Sequence, residues 1–130
     1  MGGNVGFMMP YERLLAWKRS HELTLLVYRL TSQWPKHELY GLTAQARRAA
    51  MSIPLNIAEG SAKRGSREFR RYLDIALGSL SETAYCFHLA KDLEYASDEE
   101  WKALEELRAE TGLLTWRLYS SVKKSTRTDS

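Results

Sequence analysis

Apolar residues recur at helical spacing along residues 11–122, and only the short stretches 34–41, 60–65 and 95–97 break the pattern. That period belongs to helices packed on one side, and no stretch alternates as a half-buried strand does. The pattern predicts an all-α chain with four helices. The first covers about residues 11–33 and ends ahead of Trp34-Pro35, because a residue before proline is driven out of helical geometry. The second covers about 42–59, with Thr43 as N-cap, Gly60 as its stop and Pro54 as an internal kink. The third covers about 66–95, with Ser66 as its cap. Ser97-Asp98-Glu99-Glu100 is a capping box that opens the fourth, its acids suiting the positive field of a first turn; that helix ends near Lys123. Long helices on short loops give an antiparallel up-down-up-down bundle.

A chain of 130 residues is one domain. The bundle is expected over residues 11–124, between an unstructured head (1–10, with Gly2, Gly3 and Gly6) and a polar, unstructured tail (125–130). The head lacks the basic start and apolar run of a signal peptide. No run approaches the roughly 20 apolar residues of a membrane span. The single cysteine, Cys86, cannot form an internal bridge, which fits a reducing compartment and a cytoplasmic protein.

Two helices carry one apolar face too many. On the first, Leu14, Trp17, His21, Leu25 and Tyr28 share a side, while Leu23, Leu26, Val27 and Leu30 lie opposite. On the second, Leu42, Ala46, Ala49, Ala50, Ile53 and Ile57 oppose Ala44, Met51, Leu55 and Ala58. Irregular packing in a monomer is one explanation. Self-association is the other and the expectation, with Leu23, Leu26, Val27, Leu30, Met51 and Leu55 as the interface. A polar stripe of Gln45, Arg48, Ser52, Asn56 and Glu59 runs between the faces; Arg48, Ser52, Asn56 and Glu59 are expected to form a structural network.

The net charge of +3 conceals a segregation. Residues 47–71 hold seven bases (Arg47, Arg48, Lys63, Arg64, Arg67, Arg70, Arg71) against Glu59 and Glu68, whereas residues 92–110 hold eight acids against Lys102 and Arg108. Arg67, Arg70 and Arg71 put positive charge on the first turns of the third helix, where the helix field disfavours it. That placement suggests phosphate contact, and Lys63, Arg64, Arg67, Arg70, Arg71 and Arg47 are the candidate nucleic-acid residues. The alternative is a solvated face pairing with a neighbour's acidic fourth helix.

Catalysis finds no support. His21 lies on an apolar face as a core residue, His37 lies in a loop, and His88 points about 200° away from Cys86 on the same helix. No Glu-x-x-His or phosphate-loop spacing occurs, and Cys86 borders the core stripe as a buried structural thiol. No catalytic residue, metal or cofactor is expected.

The run Leu39-Tyr40-Gly41-Leu42-Thr43, Gln45, Arg47-Arg48-Ala49-Ala50, Ser52-Ile53-Pro54 and Asn56-Ile57-Ala58-Glu59-Gly60, followed by Phe69, Arg71-Tyr72-Leu73, Ile75-Ala76-Leu77-Gly78-Ser79-Leu80 and Glu82, resembles a known family. It is that of the four-helix bundle proteins encoded in intervening sequences of bacterial 23S ribosomal RNA. The resemblance spans about residues 11–122 and implies a left-handed bundle assembling into a ring, typically a homopentamer, without enzymatic activity. It places Gly78-Ser79 where helices approach closely. It also brings in a relative, the accessory variability protein of diversity-generating retroelements, a basic pentamer that binds nucleic acid and a reverse transcriptase. The acidic fourth helix and modest net charge depart from that relative. The function so implied is an oligomeric bundle binding RNA or DNA, RNA favoured, with a protein-interaction scaffold as the alternative.

Overall fold

The structure, a computed structural model, describes residues 8–129 and the side chains of residues 8–122. Within them lie α1 (Leu15–Thr31), α2 (Leu42–Ser61), α3 (Ser66–Asp92) and α4 (Asp98–Asp129), with short 3-10 helices at Pro10–Arg13 and Lys36–Glu38 and no strand. α1 packs on α2 and α4, α3 packs on the same two, and the diagonal pairs make no close backbone approach. That cyclic order, compatible with a four-helix bundle, encloses one core in which Leu23, Val27, Ile53, Ile57, Leu73, Phe87 and Leu104 are completely buried. Each such side chain contributes roughly 1.5–3 kcal/mol by leaving water. The third helix follows its expected stripe, with Leu73, Ala76, Leu80, Thr83, Phe87 and Ala90 buried.

α1 turns its expected interface side inward, and of the expected inner side only Leu14 and Trp17 pack against the core. Leu23 and Val27 are in the core, Leu26 and Leu30 pack against it, and Leu25, Tyr28 and His21 face outward. Both sides of α1 are apolar, so spacing alone does not reveal which one is covered. His21 is therefore a surface residue, stacked on Trp17 with centroids 5.1 Å apart. On α2 the expected inner face is buried, apart from the half-buried Leu42, and Met51 and Leu55 stay exposed.

Several ends differ from their expected form for local reasons. The first helix does not begin at Tyr11, because Leu14 is extended (φ −85°, ψ 124°) between the opening 3-10 helix and α1. The Glu12 carboxylate accepts the Met9 N–H at 2.6 Å, and Tyr11 folds back onto Trp17. The expected unstructured head lies largely outside the described residues. Thr43 is buried inside α2 and is not its cap; the Glu38 carboxylate accepts the Leu42 N–H instead, at 3.0 Å. Gly60 does not stop α2, which continues to Ser61. It is buried, and a Cβ there would sit 2.8 Å from Tyr72 Cβ and 3.0 Å from Phe69 Cδ1, so it is the place where α2 and α3 touch. Gly78, by contrast, has open space where a Cβ would be. α4 runs past Lys123 to Asp129.

Pro54 is accommodated inside α2 by a donor from α1. Proline has no N–H for the carbonyl four residues back, and the Thr24 hydroxyl lies 3.1 Å from that Ala50 oxygen. The same hydroxyl lies 2.9 Å from its own helix's Ser20 carbonyl.

The α3–α4 turn is thoroughly bonded. Tyr95 N–H reaches Ala90 O (2.8 Å) and Glu94 N–H reaches Lys91 O (3.0 Å), the paired bonds of a Schellman motif, with Glu94 in the left-handed region at φ 66°. Ser97 and Glu100 form the expected capping box, each backbone N–H donating to the other's side chain at 3.0 and 3.1 Å. Tyr95 donates its hydroxyl to Glu38 at 2.9 Å, tying this turn to the α1–α2 connection.

Candidate nucleic-acid interface

At the other end of α3 the chain turns through Ala62, Lys63, Arg64 and Gly65. Gly65 holds φ 99° and ψ 146°, a conformation that side chains resist, and a Cβ there would meet nothing. Glycine is therefore required by the backbone path alone. Gly65 is also the N-cap of α3, so the expected cap Ser66 is the first residue inside the helix and the cap position has no side chain to bond the first turn. The first turn of α3 carries the positive end of the helix field.

Five of the six candidate bases meet here. Lys63 Nζ lies 5.5 Å from the Tyr72 ring centroid, and the Arg71 guanidinium lies 4.8 Å from the same centroid. Arg71 also pairs with Glu68 at 3.2 Å, and that hydrogen bond pushes its already high pKa further up. Arg64 and Arg67 are exposed and Arg70 is half-exposed, none with a side-chain partner among the described residues. Arg67, Glu68, Arg70, Arg71, Asp74 and Tyr119 line an open groove of about 330 Å³. A neighbouring hollow of about 300 Å³ joins Lys63, Gly65, Ser66 and Phe69 to Ser121 and Val122 of α4. The surface can neutralise several phosphates.

Arg47 stands apart, roughly 20 Å along α2 from Gly60 at helical rise. It is half-buried, donates to Thr31 Oγ1 at 2.9 Å and covers the Tyr28 ring at 4.8 Å, so it ties α2 to α1. The polar stripe is linked in part. Asn56 donates to Ser52 O (2.7 Å) and Oγ (3.0 Å), and Ser79 donates to Ser52 Oγ at 2.8 Å, so the network crosses from α2 to α3. Arg48 turns instead to Gln45 at 2.8 Å, and Glu59 has no side-chain partner among the described residues. Sequence reasoning passed over Trp116, Arg117 and Tyr119 on α4 beside this corner. Their signal was available: Trp116 falls off the stripe of Thr111, Leu114, Thr115 and Leu118 that faces inward.

The remaining chemistry-bearing residues are dispersed. His88 lies 3.5 Å from Asp92 and edge-on to Trp101, and His37 sits near Tyr95. Cys86 is buried, and burial pushes its thiol pKa up. Among the described residues no three His, Cys, Asp or Glu are grouped as a metal site needs, and no helix is long and apolar enough to cross a membrane.

No curated protein sequence matches the chain significantly. It is similar in structure to a protein of unknown function from the S23 ribosomal protein family of Bacteroides thetaiotaomicron. The two are 22% identical with a TM-score of 0.73, over 81% of this chain and 98% of that one, a likeness that shows the fold. Residues 12–115 match the family model of the 23S rRNA-intervening sequence protein.

Proposed function

The chain belongs to the 23S rRNA-intervening sequence protein family, and on that premise we propose that it is a non-enzymatic, oligomeric bundle that binds nucleic acid, RNA by preference, at the corner between α2 and α3. One observation carries this reading: Arg64, Arg67 and Arg70 crowd the start of α3, where the helix field already favours anions, and none of them forms an ion pair among the described residues. The preference for RNA rests on the family's link to ribosomal RNA. Anisotropy of a labelled RNA of about 12 nucleotides tests it. Affinity is expected to fall linearly on logarithmic axes between about 50 and about 200 mM salt. Replacing Arg67, Arg70 and Arg71 together with Ala is expected to flatten the slope by about 2, at roughly 0.7 per lost phosphate contact. No binding at low salt, or an unaltered triple variant, contradicts the proposal.

We also propose the antiparallel order and the ring. The Tyr95–Glu38 bond and the hollow shared by Lys63 and Val122 support helices that alternate in direction. Leu25 and Tyr28 of α1 with Met51 and Leu55 of α2 leave apolar surface outside the bundle, which supports a homo-oligomer, a pentamer by family resemblance. A monomeric 15.0 kDa mass by light scattering contradicts it. A scaffold in which the basic corner docks on a neighbour's acidic α4 is the second reading, favoured by the eight acids of residues 92–110. Under it, the triple arginine variant loses mass in solution, and RNA affinity is not involved.

A further inference from the structure

Beside the basic corner α4 presents a pair of rings that phosphate contacts leave unexplained. Trp116 stacks on Tyr119 with centroids 5.5 Å and planes 23° apart. Trp116 is nevertheless 53% exposed, although burial of so large a ring is strongly favourable. Tyr119 lines the same groove as Arg67, Arg70 and Arg71. Arg117, next to Trp116, is exposed with no charge partner among the described residues. The arginine groove of α3, which also holds Glu68 and Asp74, thus adjoins the ring pair of α4 through Tyr119.

We propose that Trp116 and Tyr119 form a stacking platform for unpaired bases, so that the ligand of this corner is a single-stranded nucleic acid. This rests on the nucleic-acid reading above and narrows it. A base offers its π-face only when it is out of a duplex, whereas phosphates are equally available in both forms. Arginines alone suit either. An exposed ring pair within reach of the arginine groove suits the single strand, because the backbone lies along the positive groove while neighbouring bases turn onto the rings. The groove's three arginines outnumber Glu68 and Asp74, and Lys63 and Arg64 lie close by in the chain, an excess that favours a polyanion over an uncharged apolar peptide.

Labelled oligoadenylate of about 12 nucleotides, free or annealed to oligouridylate, is titrated into the full chain and into Trp116→Ala and Trp116→Phe. The single strand is expected to bind more tightly than the duplex at equal salt and to quench tryptophan emission. Trp116→Ala is expected to weaken single-strand binding roughly tenfold without altering the salt slope, while Trp116→Phe retains most of the affinity. An unchanged melting profile shows that the variant is folded, as the exposure of Trp116 leads one to expect. Three results overturn the proposal: wild-type affinity in Trp116→Ala, duplex binding as tight as single-strand binding, or a change in solution mass in place of affinity. In each of these the basic corner still binds nucleic acid. Absence of binding by every probe at low salt removes the nucleic-acid reading itself, and the stacking platform with it.

Discussion

α3 begins and ends in turns of opposite character. At its C-terminal end the chain is held by paired Schellman bonds, a capping box and the Tyr95–Glu38 contact. At its N-terminal end the cap residue is a glycine without a capping side chain, Gly65 takes a conformation open to glycine alone, and three arginines have no ion-pair partner among the described residues. Acids gather at the first end and bases at the second, roughly 40 Å apart along 27 helical residues. One end bonds its turn closely within the chain, and the other presents exposed arginines with no ion pair among the described residues. The proposed contact with nucleic acid falls at the second end.

The largest effect should come from beneath the basic corner. Gly60→Ala forces a Cβ against Tyr72 and Phe69 and is expected to cost about 1–3 kcal/mol in chemical denaturation. A neutral result would mean that the two helices are not held closely under the open surface. Ser97→Ala removes half of the capping box and should cost about 1 kcal/mol while leaving RNA affinity unchanged.

The same locked end should respond to pH from both sides. The Leu42 N–H, and then the Tyr95 hydroxyl, hold the Glu38 carboxyl below its ordinary pKa. Its folded value lies under its unfolded one, so its contribution is present at neutral pH and lost as pH falls through the folded value. The Tyr95 hydroxyl is pushed up, chiefly by its bond to Glu38, so its contribution is lost as pH rises through the folded value. Thermal melts of Glu38→Gln should be flatter at the acid end than those of the wild type. An unchanged acid slope would show that the contact is idle.

Two substitutions should stabilise. Glu94→Gly relieves a left-handed residue whose strain is about 1–2 kcal/mol, less the extra freedom of glycine when unfolded, for a net gain of about 0.5 kcal/mol. Arg67→Gln removes a charge from the wrong end of a helix dipole and should gain about 0.3 kcal/mol while weakening RNA binding. Stability and binding moving in opposite directions at Arg67, and not at Ser97, would sharpen the contrast between the ends. Both moving together would blur it.

Much of the fold was legible because it is local. The Ser97–Glu100 box and the α3 stripe depend on residues within a few positions of one another, and both are present. The inner face of α1 was not legible, since Leu23 and Val27 compete with Leu25 and Tyr28 of equal apolarity and only packing decides. Gly60 reads as a stop by composition, and its role depends on Tyr72 arriving from α3. The partner for the Ala50 carbonyl is Thr24, 26 positions away, which no spacing rule connects to Pro54. At the basic corner the charges of residues 63–71 could be read directly. Arg47 could not be separated from them, because its tie to Thr31 and Tyr28 is tertiary.

Amide hydrogen exchange with and without a single-stranded RNA tests the division between the two ends most directly. In the free protein, Tyr95 and Ala96 should exchange far more slowly than Arg64 and Gly65. On adding RNA, protection should appear around residues 62–74 and 116–122 and leave residues 92–110 unchanged. Equal exchange at the two turns of the free protein, or RNA protection falling on the acidic stretch, would contradict it.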